Sequence, residues 1–162
     1  MNFRMIGRFS VFVFLMLFVF QAFAVVGYKV GNTAPGFELE SLNGNQVSLA
    51  SLRKKGHVLL VFWAVDCVYC YAHIKLFNQA YDKYAGKLTL AAINIAGEYK
   101  PEVAEYVKDN GLKYLVLSDR LKNLDVAEAY QVKVTPTLVL VSPAGKVLFY
   151  GHSMPPLQRW LK

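Results

Sequence analysis

The two cysteines of this 162-residue chain stand three positions apart, in Cys67-Val68-Tyr69-Cys70. Two cysteines placed at random in a chain this long fall at that spacing roughly once in eighty cases, so the pair reads as a unit. It follows closely on a run of apolar residues, 58–63, that has the pattern of a strand buried on both faces. A helix is predicted after it, over 67–84 and ended by Gly86, with Cys70, His73, Phe77, Ala80, Tyr81 and Tyr84 on one face at spacings of three and four. The pair therefore sits where a strand hands over to a helix, and there unpaired N–H groups and the helix dipole stabilise a thiolate. Dithiol exchange needs such a thiolate. Cys67, nearer the helix start and more exposed, would attack; Cys70, one turn in on the buried face, would resolve the mixed disulfide.

Two other readings compete. A purely stabilising staple is poorly served by so short a loop, worth about 2 kcal/mol on the chain-entropy account against roughly 3 for a 15-residue loop. Metal handling is the second: Cys67, Cys70 and His73 are three apart and can face one ion, and soft thiolates favour copper(I) or zinc.

The rest of the chain alternates. Residues 25–36 carry Gly27, Gly31, Pro35 and Gly36 and should be irregular. Segments 37–40 and 46–48 flank Asn43-Gly44-Asn45, a hairpin signal. A second buried strand is expected over 88–95, a helix over 101–110 with Pro101 in its first turn and Gly111 past its end, a third strand over 114–117 and a short helix over 121–130. Strands over 137–141 and 146–150 are joined by Ser142-Pro143-Ala144-Gly145, and a last short helix is expected over 155–161. This order implies an α/β sandwich with a mixed central sheet flanked by helices and an N-terminal β-hairpin extension.

Hydrophobic residues make up 55% of the chain, high for a soluble domain, and much of the excess lies in the first 26 residues. Arg4 and Arg8 form a positive start, 9–20 is apolar apart from Ser10, and Ala22-Phe23-Ala24 is a cleavage pattern. This reads as a secretory signal peptide over 1–24, leaving 25–162 as one domain. The rival is an uncleaved membrane tether through residues 9–26, interrupted by Gln21 and at the short limit for a span. Both place the domain in the periplasm, soluble or anchored in the inner membrane. Of the net charge of +7, Arg4 and Arg8 supply two; the remaining lysines are scattered, without the basic stripe of a nucleic-acid binder.

Val61-Phe62-Trp63-Ala64 ahead of a C-x-x-C helix resembles thioredoxin-like proteins. Further segments are similar to the TlpA/ResA-like branch, the extracytoplasmic thiol–disulfide oxidoreductases that include cytochrome c maturation reductants. These are Gly31-Asn32-Thr33-Ala34-Pro35-Gly36-Phe37 with Leu39 and the turn at Gly44, Ile93-Asn94-Ile95 leading to Gly97-Glu98, Tyr130-Gln131-Val132 before Thr135-Pro136-Thr137, and Ser142-Pro143-Ala144-Gly145-Lys146-Val147. The resemblance implies a thioredoxin fold, protein substrates bearing disulfides or thiols (an apocytochrome C-x-x-C-H site among them), no cofactor, and a membrane electron donor for re-reduction. It also implies a cis Pro136 beside the dithiol, whose neighbour's backbone pairs with a bound substrate strand. Trp63, Tyr69, Thr135 and Pro136 are the expected substrate-binding residues, and Glu98 is expected near the dithiol. From the residues alone, Pro136 merely precedes a strand and Glu98 is a loop carboxylate.

The sequence also departs from that pattern. Asp66 stands where relatives usually have Trp, Tyr69 where many have Pro, and His73 and Lys75 where many have Glu and Pro. Thioredoxin's buried acid is replaced by Val61. The Cys-x-Tyr-Cys form also occurs in envelope disulfide isomerases, which keeps isomerisation beside reduction. Asp66 is expected to oppose a thiolate at Cys67, or to cap the helix.

Overall fold

The computed structural model describes residues 25–120 and 124–161. The predicted signal or anchor segment and the start of the predicted helix 121–130 lie outside the described residues. Three apolar segments, β3 (His57–Trp63), β4 (Leu88–Asn94) and β5 (Leu115–Ser118), pair in parallel at the centre of the sheet. Six of the seven residues of β3 are buried, as expected for a strand covered on both faces. On one side β6 (Thr137–Val141) runs antiparallel to β3 and carries β7 (Val147–Gly151) at the edge. On the other, β1 (Glu38–Ser41) runs antiparallel to β5 and carries β2 (Gln46–Ser48). The seven strands form one mixed sheet in the order β2-β1-β5-β4-β3-β6-β7. The hairpin extension turns at Gly44, whose φ of 83° lies in the left-handed region that favours glycine.

Strand alternation splits the core into two layers. Leu59, Val61 and Trp63 of β3 face the side covered by α2 (Val68–Lys83) and α3 (Lys100–Asp109), packed with Phe77, Ala80 and Val103. Val58, Leu60 and Phe62 face α1 (Leu49–Arg53) and α4 (Asp125–Ala129), with Leu49, Leu52, Val126 and Tyr130. This is the thioredoxin-type sandwich expected, and it brings the C-terminal ends of β3, β4 and β5 to one edge, where the dithiol lies.

Four expectations need correction. The buried face of α2 is Cys70, Ile74, Phe77 and Ala80; His73 is only half-buried and Tyr81 is exposed. Helix α1 was not anticipated: Ser48 and Ser51 close a capping box around its first turn. The terminal helix over 155–161 contracts to a single 3-10 turn, Leu157–Arg159. Most remaining boundaries move by a residue; the expected strand over 37–40, for example, lies at Glu38–Ser41.

Candidate active site

The chain leaves β3 at Trp63 and turns sharply, the Cys67 N–H donating to the Ala64 carbonyl at 3.3 Å. That turn makes Cys67 itself the N-cap of α2, in extended conformation, with its Sγ accepting the Cys70 N–H at 3.1 Å. A sulfur thus occupies the place of a capping oxygen, facing a first-turn N–H where negative charge is favoured. The cap proposed for Asp66 is corrected accordingly: Asp66 lies one residue outside the helix and is exposed.

Cys67 and Cys70 are joined as a disulfide, with Cα atoms 5.2 Å apart. Their environments differ. Cys70 is 4% exposed, on the buried face of α2, while Cys67 is half-buried. Beside Cys67 opens a groove of about 310 Å³ lined by Val65, Asp66, Val68, Tyr71, Tyr106 and Asn110. An incoming sulfur therefore meets Cys67 first.

Glu98 comes from the loop after β4. Its Oε1 accepts the Val65 N–H at 2.8 Å, which ties this carboxylate to the loop leading into Cys67. Its Oε2 is buried and has no hydrogen-bond partner among the described residues.

The Thr135–Pro136 peptide bond is cis, and Pro136 is buried. Thr137 pairs with Phe62 in the β3–β6 register, so Pro136 lies at the end of β3 from which the dithiol loop departs. The Thr137 hydroxyl donates to the Val134 carbonyl at 2.7 Å, and His152 Nδ1 lies 3.2 Å from the Pro136 carbonyl it can donate to. Thr135 is half-buried next to the proline, and Val134 is 55% exposed.

Of the expected substrate-binding residues, Tyr69 stands 73% exposed on the first turn of α2. Trp63 does not present a surface: it is 3% exposed, and its ring packs on Tyr106 at 5.2 Å. It is on the helix-covered face of β3, so it forms the floor beneath the dithiol. His73, the third candidate metal ligand, directs Nδ1 to the Tyr69 carbonyl at 2.7 Å and stacks on Phe77. Among the described residues no group of three His, Cys, Asp or Glu side chains is arranged to hold a metal ion.

Sequence reasoning missed Tyr106 and His152. Tyr106 was detectable, since Val103, Tyr106 and Val107 repeat at three and four along α3 and mark its inner face. His152 had no local signal, because its partner lies across the β6–β7 hairpin.

Fold and site together define a thioredoxin-fold protein that carries a C-x-x-C disulfide at the N-terminus of its first long helix. The chain belongs to the AhpC/TSA family, which it matches over residues 30–150. It is 34% identical over 119 residues to the thiol-disulfide oxidoreductase ResA of Bacillus subtilis strain 168, covering 73% of this chain and 64% of that protein. It thus spans a little under two thirds of that relative's length. Among solved structures, a thiol-disulfide oxidoreductase from Bacteroides fragilis superposes with a TM-score of 0.67 at 25% identity, over 79% of this chain and 96% of the other. The thioredoxin domain of a thiol-disulfide oxidoreductase from Bacteroides vulgatus reaches 0.76 at 20% identity, over 83% and 99%, a likeness of fold.

Proposed function

We propose that this chain is an envelope thiol–disulfide oxidoreductase that reduces protein disulfides by dithiol exchange. The observation that carries the reading is the unequal setting of the two sulfurs: Cys67 caps α2 at the edge of an open groove, and Cys70 is buried one turn in. The similarity to ResA supports the same chemistry. In the reduced protein the Cys67 thiolate, facing the first-turn N–H of α2, attacks a substrate disulfide and forms a mixed disulfide. Cys70 then attacks Cys67 Sγ. The substrate leaves as a dithiol with two electrons and two protons, and the Cys67–Cys70 bond seen here is the product state.

In this reading the loop at Pro136 offers backbone to an extended substrate segment, with Thr135 and Tyr69 beside it. Residues 1–24 direct export to the periplasm as a cleaved signal peptide, or residues 9–26 hold the domain there as a tether. A membrane-embedded dithiol donor recharges the pair, because that compartment is kept oxidising. An apocytochrome C-x-x-C-H site is the substrate class that the ResA likeness favours.

An insulin-reduction assay with dithiothreitol as donor tests the activity. The reading requires faster precipitation of the insulin B chain than with dithiothreitol alone, lost in Cys67→Ser; no acceleration would refute it. Mass spectrometry of the envelope fraction tests processing, with a first residue of Val25 expected for the cleaved form.

A further inference from the structure

Beneath the dithiol, on the sheet face covered by α2 and α3, lies a small, partly open cavity. Its wall is apolar, with Val61 and Phe77 among its residues, apart from Trp63, Cys70, Tyr106 and Tyr114. It leaves about 10 Å³ for the centre of a water molecule, room for about one. Two polar atoms of residues in this wall, Trp63 Nε1 and the Tyr106 hydroxyl, are buried without a hydrogen-bond partner among the described residues. Buried donors are rarely left unpaired, and two on one small cavity mark it as polar enough to be wet. Tyr106 also lines the open groove beside Cys67 and Asp66. One side chain is therefore the partition between the interior space at Cys70 and the surface space at Cys67.

Dithiol exchange creates a need at this place. Cys70 is 4% exposed and must lose a proton before it can attack Cys67. Among the described residues, the titratable groups that meet in the cavity are Cys70 from α2, Tyr106 from α3 and Tyr114 just ahead of β5, with no carboxylate, imidazole or ammonium in its wall. Cys67, Asp66 and Tyr71 lie on the groove side. Burial, reinforced by Tyr71, pushes the Tyr106 phenol up, and burial reinforced by Tyr106 does the same for Tyr114. Both are neutral hydroxyls at neutral pH, able to donate and accept but not to act as a resident base.

We propose that Trp63 Nε1–H and the Tyr106 hydroxyl hold one water against the Cys70 sulfur, and that this water and Tyr106 pass the Cys70 proton to the groove when the mixed disulfide is resolved. Trp63 and Tyr106 are positioning residues in this scheme, which rests on the reading of the pair as an exchange dithiol. The step balances. The Cys70 S–H bond breaks, and its electron pair forms the bond to Cys67. The bond from Cys67 to the substrate sulfur breaks, and its pair stays on the departing sulfur. The Tyr106 hydroxyl, buried while the pair is oxidised, turns to the groove in the mixed disulfide, gives its proton there and regains one from the water side. The departing thiolate takes up a proton in the groove.

Single-turnover reaction of the reduced protein with an aromatic disulfide reagent whose released thiolate is coloured separates the steps. The first release reports attack by Cys67, the second reports resolution by Cys70. Tyr106→Phe keeps the ring against Trp63 and removes only the hydroxyl. The first phase should keep the parent's pH profile, while the second becomes roughly tenfold slower near neutral pH, with its pH–rate profile displaced about one unit to the alkaline side. Trp63→Phe should displace the second phase in the same direction. If the parent shows no second release, the dithiol reading itself fails. If the parent shows both phases and the second-phase profile of Tyr106→Phe superimposes on it, or is lowered equally at every pH, the proton path is refuted.

Discussion

The backbone N–H of Val65 donates to Glu98 Oε1 at 2.8 Å, joining the loop after β3 to the loop after β4 two residues before Cys67. The other carboxylate oxygen is buried and unpaired among the described residues. Glu98 therefore offers two separable roles to test, a tether through Oε1 and a carboxylate charge on the loop that leads into Cys67. Glu98→Gln keeps a carbonyl oxygen for Val65 and removes the charge. It is predicted to lower the pKa of at least one cysteine thiol and to slow exchange near neutral pH, because a nearby charge that opposes the thiolate and relays a proton is gone. Glu98→Ala also loses the tether and should cost about 1–2 kcal/mol of stability. Thiolate absorbance titration and urea unfolding measure the two effects; an unchanged titration in Glu98→Gln would leave the tether alone.

Asp66 is predicted to act on Cys67 through charge alone, since Cys67 and not Asp66 caps α2. The carboxylate is exposed, so its repulsion of a thiolate is that of nearly full water screening, about 0.7 kcal/mol at about 6 Å. Removing it in Asp66→Asn should stabilise the thiolate and make the couple more oxidising by roughly 15 mV. A glutathione redox equilibrium reads this directly. A potential unchanged or more reducing would show that Asp66 does not set the poise.

Asp119 is fully buried, and its Oδ2 accepts the Ala127 N–H at 2.8 Å. Burial raises its carboxyl above the ordinary value, against the lowering effect of the Ala127 and Val126 N–H groups, with Asp125 adding a further push upward. The folded state then binds this proton more readily than the unfolded chain, so stability falls as pH rises from the ordinary value of 3.8 through the raised folded one. Asp119→Asn retains an acceptor for Ala127 and removes the buried charge. Its stability at neutral pH should match or exceed the parent's, and its loss of stability between pH 4 and pH 7 should be smaller. Denaturant unfolding at both pH values checks this; a steeper loss in the variant would contradict it.

Much of this architecture is legible in the chain. The apolar runs ending at Trp63 and Asn94, the turn at Gly44 and the Pro101 helix start are each set by local chemistry, and each appears within a residue or so of expectation. The misreadings have identifiable causes. On α2 the alternation of tyrosines and aliphatics let Tyr81 stand in for Ile74, because a tyrosine ring satisfies either a core or a wet face. Trp63 read as a binding surface because the cluster that buries it, with Tyr106 against its ring, is drawn from segments distant in sequence. Asp66 read as a cap by residue type, and the Ala64–Cys67 turn gave that place to a sulfur. The Glu98–Val65 bond and the His152–Pro136 contact join segments far apart in the chain, and no local pattern encodes them.

The central claim is the division of labour between Cys67 and Cys70, and intact-mass analysis of trapped adducts tests it most directly. Reduced Cys70→Ser and Cys67→Ser proteins are mixed with a peptide that carries a C-x-x-C-H disulfide, then quenched with acid. In Cys70→Ser the half-buried sulfur at the groove is present and the protein has no second thiol to resolve the adduct, and acid stops the peptide's own freed thiol from re-closing, so one peptide should be found attached through Cys67. In Cys67→Ser the remaining sulfur is 4% exposed, so little or no adduct should form. Adduct on Cys67→Ser and none on Cys70→Ser would reverse the assignment.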